Sequence, residues 1–265
     1  MKKIFVFLVA ISIQLCCFSP AFSFSVEETK RAAEQGNAVS QLDLGFMYEF
    51  GKGVQQDYKK AKEWYEKAAA QGNANAQICL GNMYVVGKGV RQDYQKAKEW
   101  YERAAAKDDV NAQYLIGLMY IEGKGVRQDY RKAKQWIEKA AAQDYSSAQF
   151  TLGVMYCRGE GVHQDYKKAK RWFEKAATQG HSSAQFNLGF MYKWGEGVRQ
   201  DYRKAKYWFE KAAAQEHTKA QCYLGFMYEK GHGVRQDLAT AKEWYGRACD
   251  NGNQQGCDAY ARLNR

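Results

Sequence analysis

Beyond its first 23 residues the 265-residue chain has no apolar segment long enough to cross a bilayer, because a spanning helix needs about 20 consecutive apolar residues. It is also short of nucleophiles. The serines after residue 23 are Ser25, Ser40, Ser146, Ser147, Ser182 and Ser183. None opens the Ser-x-x-Lys tetrad that sets a base beside the nucleophile in penicillin-recognising hydrolases. Five of them fall at helix starts, where capping or solvent exposure accounts for them. The histidines are His163, His181, His217 and His232, and none lies four residues from another or from a suitable acidic ligand motif. No metal site and no cofactor are expected. Segments of the Gly-Lys-Gly-Val kind recur and vary to Gly159-Glu160-Gly161. They join two helices and lack the preceding strand and the Gly-Lys-Ser/Thr of a phosphate-binding loop, so they read as turns.

The first 23 residues have their own chemistry. Lys2 and Lys3 precede an apolar run from Ile4 to Phe18, and Ala21-Phe22-Ser23 follows as a small-x-small site. This is the layout of a secretory signal peptide. Cleavage after Ser23 and export to the periplasm or beyond are expected. Cys16 and Cys17 leave with the leader, and Leu15 stands where a lipoprotein carries a small residue. Export permits disulfides. Cys79, Cys157, Cys222, Cys249 and Cys257 remain, an odd number that leaves at least one thiol free or paired with another molecule.

What fills the rest of the chain is a 36-residue repeat without insertion or deletion. Gly45, Gly81, Gly117, Gly153, Gly189 and Gly225 mark it, as do Trp64, Trp100, Trp136, Trp172, Trp208 and Trp244. Asp57, Asp93, Asp129, Asp165, Asp201 and Asp237 keep the same step. Such a period means stacked units, since one unit cannot bury its own apolar face. In one unit Ala76, Leu80, Met83 and Tyr84 predict an amphipathic helix A. Gly87-Lys88-Gly89-Val90 is the turn, and Asp93 is the N-cap of helix B. Helix B carries Tyr94, Ala97, Trp100, Tyr101, Ala104 and Ala105, and Gly72, Gly180 and Gly252 close B helices. Gly81 and Ala104 leave room for a neighbouring helix, with Trp100 expected as the large filler. The organisation is a leader (1–23), an N-terminal half-repeat cap (24–36), six repeats (37–72, 73–108, 109–144, 145–180, 181–216, 217–252) and a C-terminal half repeat (253–265).

The pattern A-x3-LG-x-MY-x2-G-x-GV-x-QD-x3-A-x2-W-x3-AA resembles the Sel-one-like repeat (SLR) family, a relative of the tetratricopeptide repeat, over residues 27–265. The resemblance implies an all-α, right-handed α/α superhelical solenoid that mediates protein–protein contacts, often in exported bacterial proteins linked to envelope functions or host interaction. Ala248 to Cys257 is similar to the cysteine-rich branch, in which cysteines eight apart join helix B of one repeat to helix A of the next. This implies a Cys249–Cys257 disulfide. Cys79, Cys157 and Cys222 fall in repeats two, four and six, no two of them neighbours, and are expected to stay reduced. Some cysteine-rich members are described as penicillin-binding or as weak β-lactamases, which supplies an enzymatic alternative.

Solenoids expose long binding surfaces. Positions 3, 7, 10 and 14 of helix A vary between repeats and share one stripe at 100° per residue, with position 6 at its border. Helix A lines the concave side in this repeat class, so the stripe predicts an apolar, aromatic groove, and exposed patches of that sort mark binding sites. Phe46, Phe50, Asn82, Leu118, Phe190, Trp194, Tyr223 and Phe226 are the candidate partner-binding residues. Net charge is +11, with basic residues on helix B at Lys59, Lys60, Lys62 and Lys67. These read as an outward solvated face, or as a surface for anionic envelope polymers. The export signal disfavours nucleic acid. The expectation is a monomeric, non-enzymatic scaffold binding a protein or peptide in the helix-A groove. The alternatives are a β-lactam or cell-wall peptide hydrolase or binder, and a module for anionic polymers.

Overall fold

The computed structural model describes residues 25–264. The leader, residues 1–23, and its cleavage point lie outside them. The described residues form fourteen α-helices and no strand. A short α1 (Val26–Glu34) precedes six pairs: α2 (Ala38–Phe50) and α3 (Tyr58–Ala70); α4 (Ala74–Val86) and α5 (Tyr94–Ala105); α6 (Val110–Glu122) and α7 (Tyr130–Ala142); α8 (Ser146–Arg158) and α9 (Tyr166–Thr178); α10 (Ser182–Trp194) and α11 (Tyr202–Ala213); α12 (Thr218–Lys230) and α13 (Leu238–Asp250). α14 (Gln254–Leu263) closes the chain. The architecture is an α/α solenoid gathered into two compact units, the described residues through Gln143 and those from Asp144 onward. Within each unit the two helices of a pair pack together, and each pair packs on the next.

Local chemistry sets the helix ends. Asp93 sits in extended backbone and its carboxylate accepts from the N–H groups of Gln95 (3.0 Å) and Lys96 (3.1 Å). The same aspartate caps every B helix of the six pairs. A cap of this kind contributes about 1 kcal/mol. Gln92, just before it, donates from Nε2 to the carbonyl of Val85 (2.6 Å) and to the Tyr94 hydroxyl (3.0 Å), locking the turn to the end of helix A. The second glycine of that turn, Gly89, has φ +68 and lies against α3, where a Cβ would stand 2.8 Å from the Tyr58 carbonyl oxygen. Both conditions exclude other residues.

The core runs between A and B helices. Ala76, Leu80, Ala97, Tyr101 and Ala104 are fully enclosed. The large side chain over the helix-A glycine is the residue after the tryptophan: a Cβ on Gly45 would stand 2.6 Å from the Tyr65 ring, and Gly81 meets Tyr101 in the same way. This corrects the expectation for Trp100, which is half-buried at the core margin with the Arg103 guanidinium 4.4 Å over its ring. Tyr101 lies four residues after Ala97 and three before Ala104, on the stripe that faces helix A. Trp100 is turned 100° from it.

A ladder of side-chain amides ties repeats together. Gln71, at the end of α3, donates from Nε2 to the Gly36 carbonyl (2.9 Å) and to Gln41 Oε1 (2.8 Å). Gln143 makes the equivalent bonds to the Asp108 carbonyl and Gln113 Oε1, both 3.0 Å. In the C-terminal unit Gln179, Gln215 and Asn251 donate to Gln149, Gln185 and Gln221. Lys107 takes this position in the second repeat. It donates to the Gly72 carbonyl, and Gln77 Oε1 is left buried without a partner. At the C-terminus, a disulfide joins Cys249 on α13 to Cys257 on α14, while Cys79, Cys157 and Cys222 are free thiols. Arg262 of α14 also reaches back to the buried Glu229 carboxylate at 2.7 and 3.2 Å.

Candidate functional site

The predicted stripe divides by depth. In the N-terminal unit Val39 is 54% exposed, Phe50 37% and Val86 36%. Phe46, Asn82 and Leu118 are buried, as are Cys79 and Leu115. Position 10 therefore packs inside this unit, as does position 7 except at the half-buried Asp43, and the exposed members of the stripe are at positions 3 and 14. This corrects the expectation of an open groove at Asn82 and Leu118. Phe46 and Phe50 do come together, with ring centroids 4.4 Å apart, and the Lys52 ammonium lies 4.9 Å from the Phe46 ring.

The reason for burial is a match across the helix pair. Helix B carries Tyr65, Tyr101, Ile137, Phe173, Phe209 and Tyr245 at the position that enters the core. Each buried tyrosine hydroxyl needs a polar partner, since an unmet one costs about 1–3 kcal/mol. Tyr65 donates to Glu49 (2.8 Å), Tyr101 to Asn82 Oδ1 (2.7 Å) and Tyr245 to Glu229 (2.9 Å). Where helix B offers Ile137 or Phe173, helix A offers Leu118 and Ile121, or Val154 and Cys157. Variation at positions 10 and 13 is thus largely core complementarity.

Repeat five breaks this match. Opposite Phe209, which has no hydroxyl, position 13 is Lys193, only 5% exposed. Its ammonium lies 4.3 Å from the ring centroids of Tyr223 and Phe226 and 4.9 Å from that of Trp194. Burial pulls its pKa below the ordinary lysine value, and the Cys222 thiol acts weakly the other way. Trp194 itself is 56% exposed, and Phe190 bridges it to Tyr223 at 6.1 and 6.2 Å. The structure therefore assembles Phe190, Trp194, Tyr223 and Phe226 into one aromatic surface around the Lys193 side chain. Beside it is a pocket of about 320 Å³ lined by Phe186, Phe190, Lys219, Cys222, Tyr223 and Gln255, contributed by α10, α12 and α14. Burial raises the pKa of Cys222 and of Tyr223, so both are neutral at pH 7. Lys193, Phe186 and Cys222 extend the predicted site. The signal for Lys193 lay in the sequence: position 13 reads Glu, Val, Ile, Cys, Lys, Glu against Tyr, Tyr, Ile, Phe, Phe, Tyr on helix B.

The remaining candidates have structural employment. His181 and His217 are N-caps, each accepting through Nδ1 from a backbone N–H at 3.3 Å. They stack on Phe150 and Phe186 at 4.6 and 4.8 Å, and burial lowers the pKa of both. Ser25 forms a capping box with Glu28. Among the described residues no group of His, Cys, Asp or Glu is placed to hold a metal ion, and no helix is long and apolar enough to cross a membrane. On helix B, Lys59 and Lys60 are exposed, Lys62 pairs with Glu66 at 2.6 Å and Lys67 lies 3.7 Å over the Trp64 ring.

The Sel1 repeat profile matches six successive segments: residues 38–73, 74–109, 110–145, 146–181, 182–217 and 218–253. A Sel1 repeat protein from Oxalobacter formigenes is 31% identical, with a TM-score of 0.73, over 81% of this chain and 86% of its own. A protective antigen present in uropathogenic Escherichia coli strains, displaying an SLR fold, is 34% identical with a TM-score of 0.60, over 91% of this chain and 59% of its own. An immunity protein from Pseudomonas aeruginosa, 21% identical with a TM-score of 0.52 over 86% of this chain and 84% of its own, shares the fold. A search of curated proteins finds no match. The chain belongs to the Sel1 repeat family, whose members generally serve as non-enzymatic protein–protein interaction scaffolds.

Proposed function

We propose that this protein is an exported, non-enzymatic scaffold that binds a polypeptide on the helix-A face of its C-terminal unit, in the service of the envelope or of contact with a host. The leader-like residues 1–23 support export to the periplasm or out of the cell. The observation that carries the binding reading is the open aromatic surface of Phe190, Trp194, Tyr223 and Phe226 beside a pocket of about 320 Å³. Aromatic anchors set beside a pocket are where binding energy concentrates. In the N-terminal unit the positions equivalent to Phe190 and Phe226, namely Phe46, Asn82 and Leu118, are buried, so the C-terminal unit is the better seat.

The test uses residues 24–265 and peptides selected from a random phage-displayed dodecapeptide library. Cys222 lines the pocket, so a peptide seated there slows its alkylation by N-ethylmaleimide. Full occupancy with an unchanged Cys222 rate would place binding elsewhere. Turnover of a chromogenic cephalosporin by the same protein would contradict the non-enzymatic reading.

A further inference from the structure

Three charged side chains are buried among the described residues: Glu49, Lys193 and Glu229. Glu49 accepts from Tyr65, and Glu229 accepts from Tyr245 and pairs with Arg262. The Lys193 ammonium makes no hydrogen bond and no ion pair with any described residue, while its backbone carbonyl accepts from Gln200 Nε2 (2.8 Å). Its neighbours are the faces of Trp194, Tyr223 and Phe226. The side chain as a whole is only 5% exposed, so the ammonium has lost part of its water; that loss is costly unless an anion compensates it, and ring faces replace only part of the lost hydration. The fold does not need a cation there: Ile121 and Cys157 fill the same position in repeats whose helix B also lacks the hydroxyl. The neighbouring pocket adds a second ammonium, Lys219, and no carboxylate lines it.

We infer that Lys193 is the seat for a carboxylate of the bound polypeptide, so that the partner segment carries an Asp or Glu beside a large apolar side chain. This rests on the peptide-binding reading given above. The acidic group approaches Lys193 between Trp194 and Phe226, and the apolar side chain enters the pocket between Phe186, Phe190 and Tyr223. Tyr223 belongs to both halves and fixes their spacing. A sugar polyanion would satisfy the charge and leave the apolar pocket empty, which is why a polypeptide is the occupant. Lys193 is on this account the specificity-determining residue, and the aromatic surface supplies the area.

The experiment uses the dodecapeptides selected on residues 24–265. They are synthesised with each Asp or Glu intact and with it replaced by Asn or Gln. Binding is measured by calorimetry to the parent protein and to Lys193→Met, Lys193→Gln and Trp194→Ala. The expected result is enrichment of an acidic residue next to an apolar one. The acidic peptide should lose ~10-fold or more in affinity on Lys193→Met, as buried charge pairs do when one partner is removed. The amide peptide should bind parent and Lys193→Met alike. Thermal melts report whether each variant is folded, and the parent's preference for acidic over amide peptide needs no variant at all. Peptides that depend on Trp194 but show neither acidic preference nor sensitivity at Lys193 would overturn the inference and leave the groove intact. Peptides indifferent to Trp194→Ala would overturn the groove itself. Equal, Lys193-dependent binding of heparin, which has no apolar side chain, would overturn the polypeptide assignment.

Discussion

Replacing Lys107 with glutamine should stabilise the protein. In the first and third repeats the amide at this position makes two bonds, one to a turn carbonyl and one to the helix-A glutamine. Lys107 makes only the first, to the Gly72 carbonyl, and Gln77 Oε1 stays buried and unpaired. Lys107 is exposed, so the exchange removes no packed charge. A glutamine there reproduces the bond to Gly72 and supplies the missing one. Leaving a buried acceptor unmet costs about 1–3 kcal/mol, and an ordinary hydrogen bond contributes about 1 kcal/mol net. Against this stands the loss of a cation at a helix C-terminus, worth about 0.3–1 kcal/mol. The balance is a gain of roughly 0.5–1.5 kcal/mol, read as a higher urea midpoint at constant slope. The reverse change, Gln71→Lys, strands Gln41 Oε1 and should lower the midpoint by a similar amount. If Lys107→Gln is neutral or destabilising while Gln71→Lys is also neutral, the amide ladder does not contribute as argued.

The matched pairs across the core give a second prediction. Asn82→Leu or Tyr101→Phe alone should each destabilise by about 1–3 kcal/mol, and the double variant, which copies the apolar chemistry of the third to fifth repeats, should recover most of the loss in urea melts. The C-terminus should loosen in acid. Arg262 holds the Glu229 carboxyl at about 2, below its ordinary value of 4.5. Its folded pKa is depressed, so its contribution is complete above pH 4.5 and is lost as pH falls towards 2. Hydrogen exchange of α14 should accelerate across that window, and Arg262→Ala should remove most of the effect. Thiol titration of residues 24–265 in denaturant without reductant should find three free thiols, rising to five after reduction. A count of five before reduction would remove the C-terminal clasp.

The elements were legible in the sequence because each repeat carries its own punctuation. Asp93 and its equivalents cap, Gly87 and Gly89 turn, and Ala76, Leu80, Ala97 and Ala104 keep helical spacing toward one core. The Cys249–Cys257 pair was legible through its likeness to cysteine-rich relatives. What was not legible from helix A alone was depth. Asn82 and Leu118 share a stripe with Phe190 and Phe226, yet their burial depends on which residue helix B presents opposite. Trp100 and Tyr101 are adjacent and both large, and it is the register with Ala97 and Ala104, not size, that puts Tyr101 in the core. Lys193 stood out only after positions 10 and 13 were compared with helix B. The site was thus half readable: its aromatic residues lay on the variable stripe, and its cation was hidden in the same alternation.

The most direct test of the binding account compares Trp194→Ala with Phe209→Ala for melting temperature and for peptide affinity. Trp194 is 56% exposed, and Phe209 is fully enclosed. The account predicts that Trp194→Ala weakens peptide binding by at least ~10-fold, as loss of an aromatic anchor does, with the melting temperature within about 2 °C of the parent, the range of a surface substitution. Phe209→Ala should lower the melting temperature sharply. Unchanged peptide affinity in Trp194→Ala, or a melting temperature that falls as far as it does in Phe209→Ala, would contradict it.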